Sequence, residues 1–313
     1  MQPLVSICIP TFNRAGCLKE TIESIINQPE FISELVEIVI SDNASTDDTK
    51  EMCESYKIYP NFHYYRNRIN VRDKNFPIAL SKASGKLRKL NNDTFVLQQG
   101  SLEKLCCLVQ EYEEKKPVIF LTNKDTEDQV LDFHDFVLKI GYLATWLPCH
   151  TFWEDDCITI SEDFAGCELS LWQVRKTYEI ASEKDNVILV GGKIGDTITP
   201  PQKNVSYGLY KVFYQNYFYI LDPYIEKGII SNEDKDVVEK QLLFEFFLPW
   251  IVTSKLMNTD MQFSKEEDLK RNVFSQYQNK PYFNKFKRMY LTKIMKGRIK
   301  QLIKRFVKLY EKN

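Results

Sequence analysis

The 313-residue sequence lacks the features that mark several classes of protein. It has no apolar run of the ~20 residues that a membrane-spanning helix needs, because its longest run, Leu242 to Val252, contains Glu245 and Pro249. Its eight cysteines include no paired Cys-x-x-Cys motif, so neither a structural zinc site nor a disulfide framework is predicted. The first ten residues lack the basic region of a secretory signal. We therefore expect a cytoplasmic protein with reduced thiols.

The sequence also lacks a strong net charge, since 42 basic residues nearly balance 43 acidic ones. No global field draws it to nucleic acid, and no nucleic-acid partner is predicted. The basic residues are nevertheless concentrated at the end, where Glu311 is the single acid after Lys280. Apolar residues interleaved with lysines from Phe286 to Tyr310 predict an amphipathic helix suited to the anionic inner face of the plasma membrane. Packing of this helix on an acidic surface of the body is the alternative.

Short apolar runs alternate with amphipathic stretches through the first half of the chain. This alternation is typical of an α/β fold with a mostly parallel sheet covered by helices on both faces. After about residue 205 only helical patterns follow, so we predict a first domain over 1–205 and a helical C-terminal region over 206–313. The runs that predict the first four strands are Leu4–Ile9, Val36–Ile40, Phe62–Tyr65 and Lys86–Leu90.

Polar residues stand where three of these strands end. Since ligands of parallel sheets bind at the carboxyl ends of the strands, we expect these residues to converge on one edge. A carboxylate there, flanked by amides, suits a hard divalent cation that also binds phosphate oxygens, and Asp93 is the predicted metal ligand. An Asn/Asp-rich turn is the alternative for Asp93 and its neighbours. The converging residues are Pro10, Thr11, Asn13, Asp42, Asn43, Asn91, Asn92 and Asp93.

Four segments in order resemble glycosyltransferase family 2, the sugar transferases of the GT-A fold. They are Val5–Arg14, Glu37–Asp47, Asn70–Leu87 and Leu90–Asp93. The resemblance implies an α/β/α sandwich and inverting transfer of a sugar from a nucleotide diphosphate donor, a UDP-sugar, with Mg²⁺ or Mn²⁺. It further implies a saccharide or lipid-linked acceptor in the synthesis of a bacterial surface polysaccharide.

The resemblance also implies roles for individual residues. Thr11 and Asp42 match positions that contact the base, and a carboxylate at Asp42 can accept the imide N–H of uracil. For Asp42 an Asx turn that caps the next helix is the alternative, and for Arg14 a solvated loop charge is the alternative to a phosphate contact. The other residues placed near the donor are Pro10, Asn13, Asn43, Lys74, Asn75, Asn91 and Asn92.

The sequence departs from the family pattern at two places. Asn91 stands where the family has the first Asp of Asp-x-Asp, which weakens the case for a metal. The acid pair that usually supplies the catalytic base is also missing, so the candidates are Asp163 first and then Glu168, with Asp155 and Asp156 behind them. Because of these departures an inactive nucleotide-sugar-binding protein remains an alternative. A nucleotidyltransferase is less favoured, since the loop over 11–16 is poor in glycine and basic residues.

Overall fold

The computed structural model describes residues 2–199, 207–257 and 268–310, without the side chains of residues 257 and 304–310. Within it the chain forms two compact units, Met1–Lys203 and Asn204–Asn313. The first unit is α/β and the second is helical. The strands of the first unit are β1 (Val5–Thr11), β2 (Val36–Asp42), β3 (Phe62–Arg66), β4 (Leu87–Leu90), β5 (Phe95–Leu97), β6 (Val118–Leu121), β7 (Gln129–Leu131), β8 (Thr151–Trp153), β9 (Val187–Val190) and β10 (Gly195–Thr197).

The main sheet has the strand order β3-β2-β1-β4-β8. The first four strands are parallel, and β8 runs antiparallel to β4. All residues of β1 and β2 are buried, as a strand covered on both faces requires. The predicted fold class, an α/β fold with a mostly parallel sheet, is therefore confirmed.

Helices cover this sheet because each has an apolar face. The buried residues of α1 include Leu18, Ile22 and Ile25, which recur at helical spacing and join the core of the main sheet. In α4 the corresponding face carries Leu102, Leu105 and Val109. The helices of the first unit are α1 (Ala15–Ile26), α2 (Thr49–Glu54), α3 (Asn75–Ser81), α4 (Ser101–Tyr112), α5 (Phe133–Ile140) and α6 (Trp172–Glu183).

Two smaller sheets complete the first unit, with the orders β6-β9-β7 and β5-β10. The sequence pattern predicts β6 and β9 from their apolar runs, and both are present. It predicts a loop over 125–135, which is wrong because Gln129–Leu131 pairs antiparallel with β9 and α5 begins at Phe133. The Asp132 side chain caps α5 by accepting from the backbone N–H of Asp135 at 2.8 Å.

Gly85 allows the turn before β4 to lie directly on β1. A Cβ at this position would come within 2.5 Å of Ser6 Oγ and 2.9 Å of the Val5 carbonyl carbon. The Gly85 N–H donates to Ser6 Oγ at 2.8 Å, and Ser6 Oγ donates to the buried Glu37 carboxylate at 2.5 Å. This close approach sets where β4 enters the sheet, and so where its carboxyl end falls.

The second unit contains helices that pack through aromatic rings. Tyr214, Tyr217 and Phe218 are buried, as the helical spacing of these aromatics predicts. Tyr214 donates to the Glu239 carboxylate at 2.7 Å. The elements of this unit are a π-helical segment (Lys211–Asn216), α7 (Tyr217–Glu226), α8 (Asn232–Gln241), a second π-helical segment (Leu242–Phe247), α9 (Leu248–Met257), α10 (Leu269–Tyr277) and α11 (Phe283–Tyr310).

Candidate active site

The carboxyl ends of β1, β2 and β4 meet at one edge of the main sheet. Thr11 lies opposite Asp42 in the register of β1 and β2, and Cys8 lies opposite Leu90 in that of β1 and β4. Beyond the strand ends the Asn43 N–H donates to the Thr11 carbonyl and the Asn91 N–H to the Cys8 carbonyl, each at 2.9 Å. We call the residues at these ends, 10–14, 42–45 and 91–93, the polar rim. The predicted convergence of polar residues is present.

Asp93 is at the centre of the polar rim and is 4% exposed. Its Oδ2 accepts from Thr11 Oγ1 at 2.9 Å, and its Oδ1 accepts from Arg14 Nη1 at 2.8 Å. Burial raises the pKa of the Asp93 carboxyl above its usual range, although Arg14, Thr11 and the Phe12 N–H act to lower it. Asp93 therefore joins the loop after β1 to the end of β4 through a buried ion pair.

Asn91 is fully buried and faces the interior of the protein. Its Oδ1 accepts from Lys89 Nζ at 2.8 Å, and its Nδ2 donates to the carbonyls of Asn92 and Phe95 at 2.9 Å. Burial lowers the pKa of Lys89 to about 7. The Asn91 side chain is therefore part of the support beneath the polar rim, and it does not point to a ligand at the surface.

The residues at the end of β4 fit a divalent cation poorly. Such a cation takes several oxygen ligands at ~2.0–2.6 Å, and a positive group beside those ligands repels it. Here one carboxylate, Asp93, has the Arg14 guanidinium on one oxygen and the Thr11 hydroxyl on the other, while the Asn91 oxygen is bound to Lys89. Among the described residues the grouping of acids and histidine close enough to hold a metal is Asp132, His134 and Asp135, which surrounds the capped start of α5.

Asp42 is fully buried and its carboxylate is bonded within the protein. Oδ1 accepts from the Ser45 N–H at 2.8 Å, while Oδ2 accepts from Tyr64 Oη at 2.7 Å and Arg66 Nη1 at 3.0 Å. The bond to Ser45 closes an Asx-type turn after β2, but this turn does not cap a helix as the sequence alternative expects, because α2 begins at Thr49. A contact between this carboxylate and a nucleotide base stays a prediction, and it requires Arg66 or Tyr64 to give up its place.

Asparagine side chains fix the loop after β3 against the end of β2. Asn43 Nδ2 donates to Asn70 Oδ1 at 2.9 Å, and Asn43 Oδ1 accepts from the Val71 N–H at 2.8 Å. Asn75 Oδ1 accepts from Ser41 Oγ at 2.6 Å and from Asn67 Nδ2 at 2.9 Å. Asn43 and Asn75, predicted near the donor, thus position the loop; Asn67 and Asn70 share this role and were missed.

The other predicted rim residues join neighbouring loops. Asn13 has a left-handed backbone (φ 53°), its N–H donates to Ser45 Oγ at 2.9 Å, and its Oδ1 accepts from the Thr46 N–H at 2.7 Å. Pro10 lies within β1, buried and opposite Ser41. Asn92 is half-buried, and its carbonyl accepts from the Phe95 N–H at 3.1 Å. Sequence reasoning missed Phe12, whose ring is 41% exposed between Thr11 and Asn13.

A segment before α6 lies beside the loop after β3. Lys74 Nζ lies 5.1 Å from the centre of the Phe164 ring. Burial raises the pKa of the Asp73 carboxyl above its usual range, although the Ser170 hydroxyl acts to lower it. These contacts hold residues 163–170, which carry two of the predicted catalytic acids, next to the polar rim.

The two acids differ in their surroundings. Both carboxylate oxygens of Asp163 lie 2.6 Å from Arg175 Nη2, and Lys176 lies 3.3 Å away. Although burial acts to raise it, these cations hold the pKa of Asp163 below its usual range. Glu168 is exposed and accepts only weakly from the Gly166 N–H, at 3.3 Å. Glu168 lies in a short 3₁₀ helix, and α6 begins after it, at Trp172.

Asp155 and Asp156 lie at the opposite edge of the main sheet. Because β8 is antiparallel to β4, with Trp153 opposite Leu87, the chain leaves β8 at the amino end of β4. There Asp155 pairs with Lys116 at 2.5 Å and Asp156 with Lys184 at 3.0 Å. The prediction of these two residues as candidate bases is therefore wrong.

The fold is shared with solved structures of other proteins. Over 95% of this chain and 90% of the other, it superposes on residues 1–349 of Staphylococcus aureus TarS in complex with UDP-GlcNAc, with a TM-score of 0.60 and 16% identity. The strand order of the main sheet and this structural similarity define an α/β protein of the GT-A fold. Residues 6–131, about two fifths of the chain, match the model of Glycosyl transferase family 2.

Curated relatives come from bacteria. The abequosyltransferase RfbV of Salmonella typhimurium is 38% identical over 124 residues, which are 39% of this chain and 36% of that protein. The GalNAc(5)-diNAcBac-PP-undecaprenol beta-1,3-glucosyltransferase of Campylobacter jejuni is 23% identical over 292 residues, 92% of this chain and 85% of that protein. The stronger identity thus covers about two fifths of the chain.

Proposed function

We propose that this protein transfers a sugar, with inversion, from a UDP-sugar to a saccharide or lipid-linked acceptor in the synthesis of a bacterial surface polysaccharide. The observation that carries the proposal is the convergence of Thr11, Asp42 and Asp93 at one sheet edge, inside the segment that matches the family. The relatives' names support it, since they include sugar transferases and one with an undecaprenol-linked acceptor. The complex of TarS with UDP-GlcNAc supports uridine as the base.

On the donor side, the polar rim offers groups for each part of a nucleotide diphosphate. The exposed ring of Phe12 offers a face for stacking the base, and the half-exposed Arg14 offers a cation for the diphosphate. Thr11 and Asn13 flank Phe12 and can meet the base and ribose. These assignments place the donor along the loop after β1.

On the acceptor side, Glu168 is the base that the geometry favours. In the transfer, the acceptor hydroxyl oxygen bonds to the anomeric carbon, the bond from that carbon to the diphosphate oxygen breaks, and the hydroxyl proton passes to a carboxylate. Glu168 is exposed beside the loop after β3, whereas Asp163 is paired with Arg175 and Lys176.

A lipid-linked acceptor would place the enzyme at a membrane, and α11 carries a surface for that. Its Phe286, Tyr290 and Ile294 are buried within the second unit, whereas a second apolar stripe at spacings of three and four residues is exposed. No helix among the described residues is long and apolar enough to cross a membrane. Exposed Lys293, Lys296, Arg298 and Lys300 flank the stripe, which consists of Leu291, Met295, Ile299, Leu302 and Ile303, 64, 58, 49, 53 and 57% exposed.

These features suit insertion of the stripe among the acyl chains of an anionic leaflet, with the lysines at its headgroups. Sedimentation with vesicles tests whether the stripe of α11 inserts into such a leaflet. We expect binding to vesicles that contain phosphatidylglycerol, loss of binding in Met295→Asp/Ile299→Asp, and no loss in the control Ile58→Asp, whose side chain is 80% exposed in the first unit. Equal binding of all three proteins would contradict the membrane role of α11.

Donor hydrolysis tests the proposed function. Purified protein is incubated with UDP-, GDP-, CDP- and dTDP-sugars, and release of the free nucleoside diphosphate is measured. We expect release from a UDP-sugar, with Phe12→Ala raising KM and the exposed control Ile69→Ala leaving it unchanged. No release and no calorimetric binding for any donor would refute the proposal.

An inactive nucleotide-sugar-binding protein is the second candidate. Two observations favour it: the first acid of Asp-x-Asp is replaced by Asn91, which faces Lys89, and Asp163 is engaged by two cations. This candidate predicts UDP binding by calorimetry without hydrolysis or transfer with any sugar donor.

A further inference from the structure

We propose that Arg14, held by Asp93, supplies the positive charge at the donor diphosphate, and that the protein binds its nucleotide donor without a divalent cation. This inference rests on the proposed function, because it concerns the same donor. It departs from the Mg²⁺ or Mn²⁺ that the family resemblance implies. Three properties of the end of β4 carry it.

The first property is the small number of anionic oxygens. Asp93 is the single carboxylate of Asn91, Asn92 and Asp93, and the neighbouring acid of the polar rim, Asp42, is fully buried and bonded to Ser45, Tyr64 and Arg66. A neutral amide is a weaker ligand for a hard cation than a carboxylate is. The oxygen of Asn91 is moreover bound to Lys89 Nζ at 2.8 Å. One carboxylate is thus left, so a cation here would depend on waters and donor phosphates for its other ligands.

The second property is that this carboxylate already holds a cation. Arg14 Nη1 lies 2.8 Å from Asp93 Oδ1, and the carboxylate is 5% exposed while Arg14 is 39% exposed. A divalent ion at Asp93 would lie within a few ångströms of the guanidinium, and like charges at that distance in a partly buried site repel strongly. The ion pair therefore disfavours metal binding in addition to occupying the carboxylate.

The third property is the position of Arg14 itself. It directly precedes α1, and its guanidinium reaches from the buried Asp93 to solvent at the carboxyl edge of the sheet. A guanidinium has five N–H donors in a fixed plane, so one such group can bond a carboxylate oxygen and a phosphate oxygen together. Thr11 fixes the other oxygen of Asp93 and so keeps the carboxylate in the orientation that holds Arg14.

In the transfer, the leaving nucleoside diphosphate gains negative charge as the bond to the anomeric carbon breaks. A guanidinium held in place stabilises that charge, as a metal ion does in metal-dependent enzymes, but without release when a chelator is added. Arg14 is therefore assigned to both binding of the donor and departure of the diphosphate, with Asp93 as its positioning residue.

Calorimetry of UDP binding, in EDTA and separately in excess Mn²⁺, tests the inference on the full chain. We expect wild-type affinities within about twofold of each other, and Arg14→Gln to weaken binding in EDTA by about tenfold or more, as loss of a charge-assisted hydrogen bond predicts. Arg14→Lys keeps the charge and should lose less. Lys19→Gln, a charge change on the exposed face of the following helix, is the matched control and should change nothing.

An electron paramagnetic resonance titration with Mn²⁺ alone needs no nucleotide. We expect the wild type and Asp93→Asn to bind the same amount of Mn²⁺, because Asp93 holds no Mn²⁺. Binding of UDP only in the presence of Mn²⁺, or a Mn²⁺ site abolished by Asp93→Asn, would overturn this inference and leave the proposed function standing. If neither UDP nor another nucleoside diphosphate bound under any condition, both proposals would fail together.

Discussion

Arg66 Nη1 lies 3.0 Å from Asp42 Oδ2, and it approaches this fully buried carboxylate from the solvent side of the polar rim. The two residues face each other across β2 and β3, where Asp42 is opposite Arg66 in the register. Arg66 Nη2 also donates to the Ser45 carbonyl at 2.7 Å, so the arginine clamps the Asx turn that follows β2. The buried charge at the end of β2 is thus neutralised by a residue of the edge strand.

Replacing Arg66 by Gln should destabilise the protein, because it leaves the buried Asp42 carboxylate with Tyr64 and Ser45 as its remaining partners. Since Arg66 is 38% exposed, water replaces part of what is lost, and we expect a modest decrease in the free energy of unfolding. Urea denaturation measures it. The exposed Arg68→Gln should have no effect, and an equal loss in both variants would argue against the clamp.

Glu168→Gln should lower the rate of sugar transfer by about a hundredfold or more, because a general base contributes factors of that size. UDP binding should stay unchanged, since Glu168 lies on the acceptor side. Steady-state transfer assays with a competent acceptor measure kcat, and calorimetry measures binding.

Asp163→Asn is the comparison for that experiment. The Asp163 carboxylate is held by Arg175 and Lys176. Asp163→Asn should therefore lower the free energy of unfolding while changing kcat little. If Asp163→Asn abolished transfer in a folded protein while Glu168→Gln was active, the assignment of the base would be reversed.

His150 should make the protein less stable in acid. Burial lowers its pKa to about 4, from 6.5 in the unfolded chain, although the bond to the Ala144 carbonyl acts to raise it. Between these pH values the unfolded state binds a proton that the native state does not, so stability is full above pH 6.5 and falls as pH falls toward 4. The whole interval corresponds to about 3 kcal/mol at most.

Urea denaturation over this pH range measures that loss. His150→Gln, which has no titrating group, should flatten the dependence, whereas His134→Gln at the surface should leave it as in the wild type. The prediction is wrong if the wild-type slope persists without His150.

Gly85→Ala should destabilise the protein by about 1–3 kcal/mol, as overpacking does when the neighbouring atoms belong to a strand backbone. The added Cβ would come within 2.8 Å of the Ser6 nitrogen. Gly16 is the matched control: it is exposed in α1 with nothing within 4 Å, so Gly16→Ala should stabilise the helix by up to about 1 kcal/mol. Opposite signs in thermal denaturation are the expected result, and equal signs would contradict the close approach at Gly85.

Much of the first unit could be predicted from the sequence, because β1 and β2 are unbroken apolar runs and Thr11 and Asp42 stand at their ends. Strands β7, β8 and β10 could not, since each has three residues and is defined by its pairing partner. The sequence pattern also did not indicate which residues form pairs with the site residues. Arg14 and Asp93 are 79 residues apart, and nothing local to either indicates that they form an ion pair.

The contacts in and around the polar rim are of two chemical types, ion pairs and hydrogen bonds between neutral groups. The ion pair of Arg14 and Asp93 and that of Arg66 and Asp42 are weakened by added salt where solvent reaches them. The bonds that Asn43 and Asn75 make to the loop after β3 are between neutral groups, so ionic strength and pH hardly change them. The loop after β3 should therefore keep its conformation at salt concentrations that weaken the ion pair of Arg14. Nucleotide affinity should fall at lower salt than is needed to change the conformation of that loop.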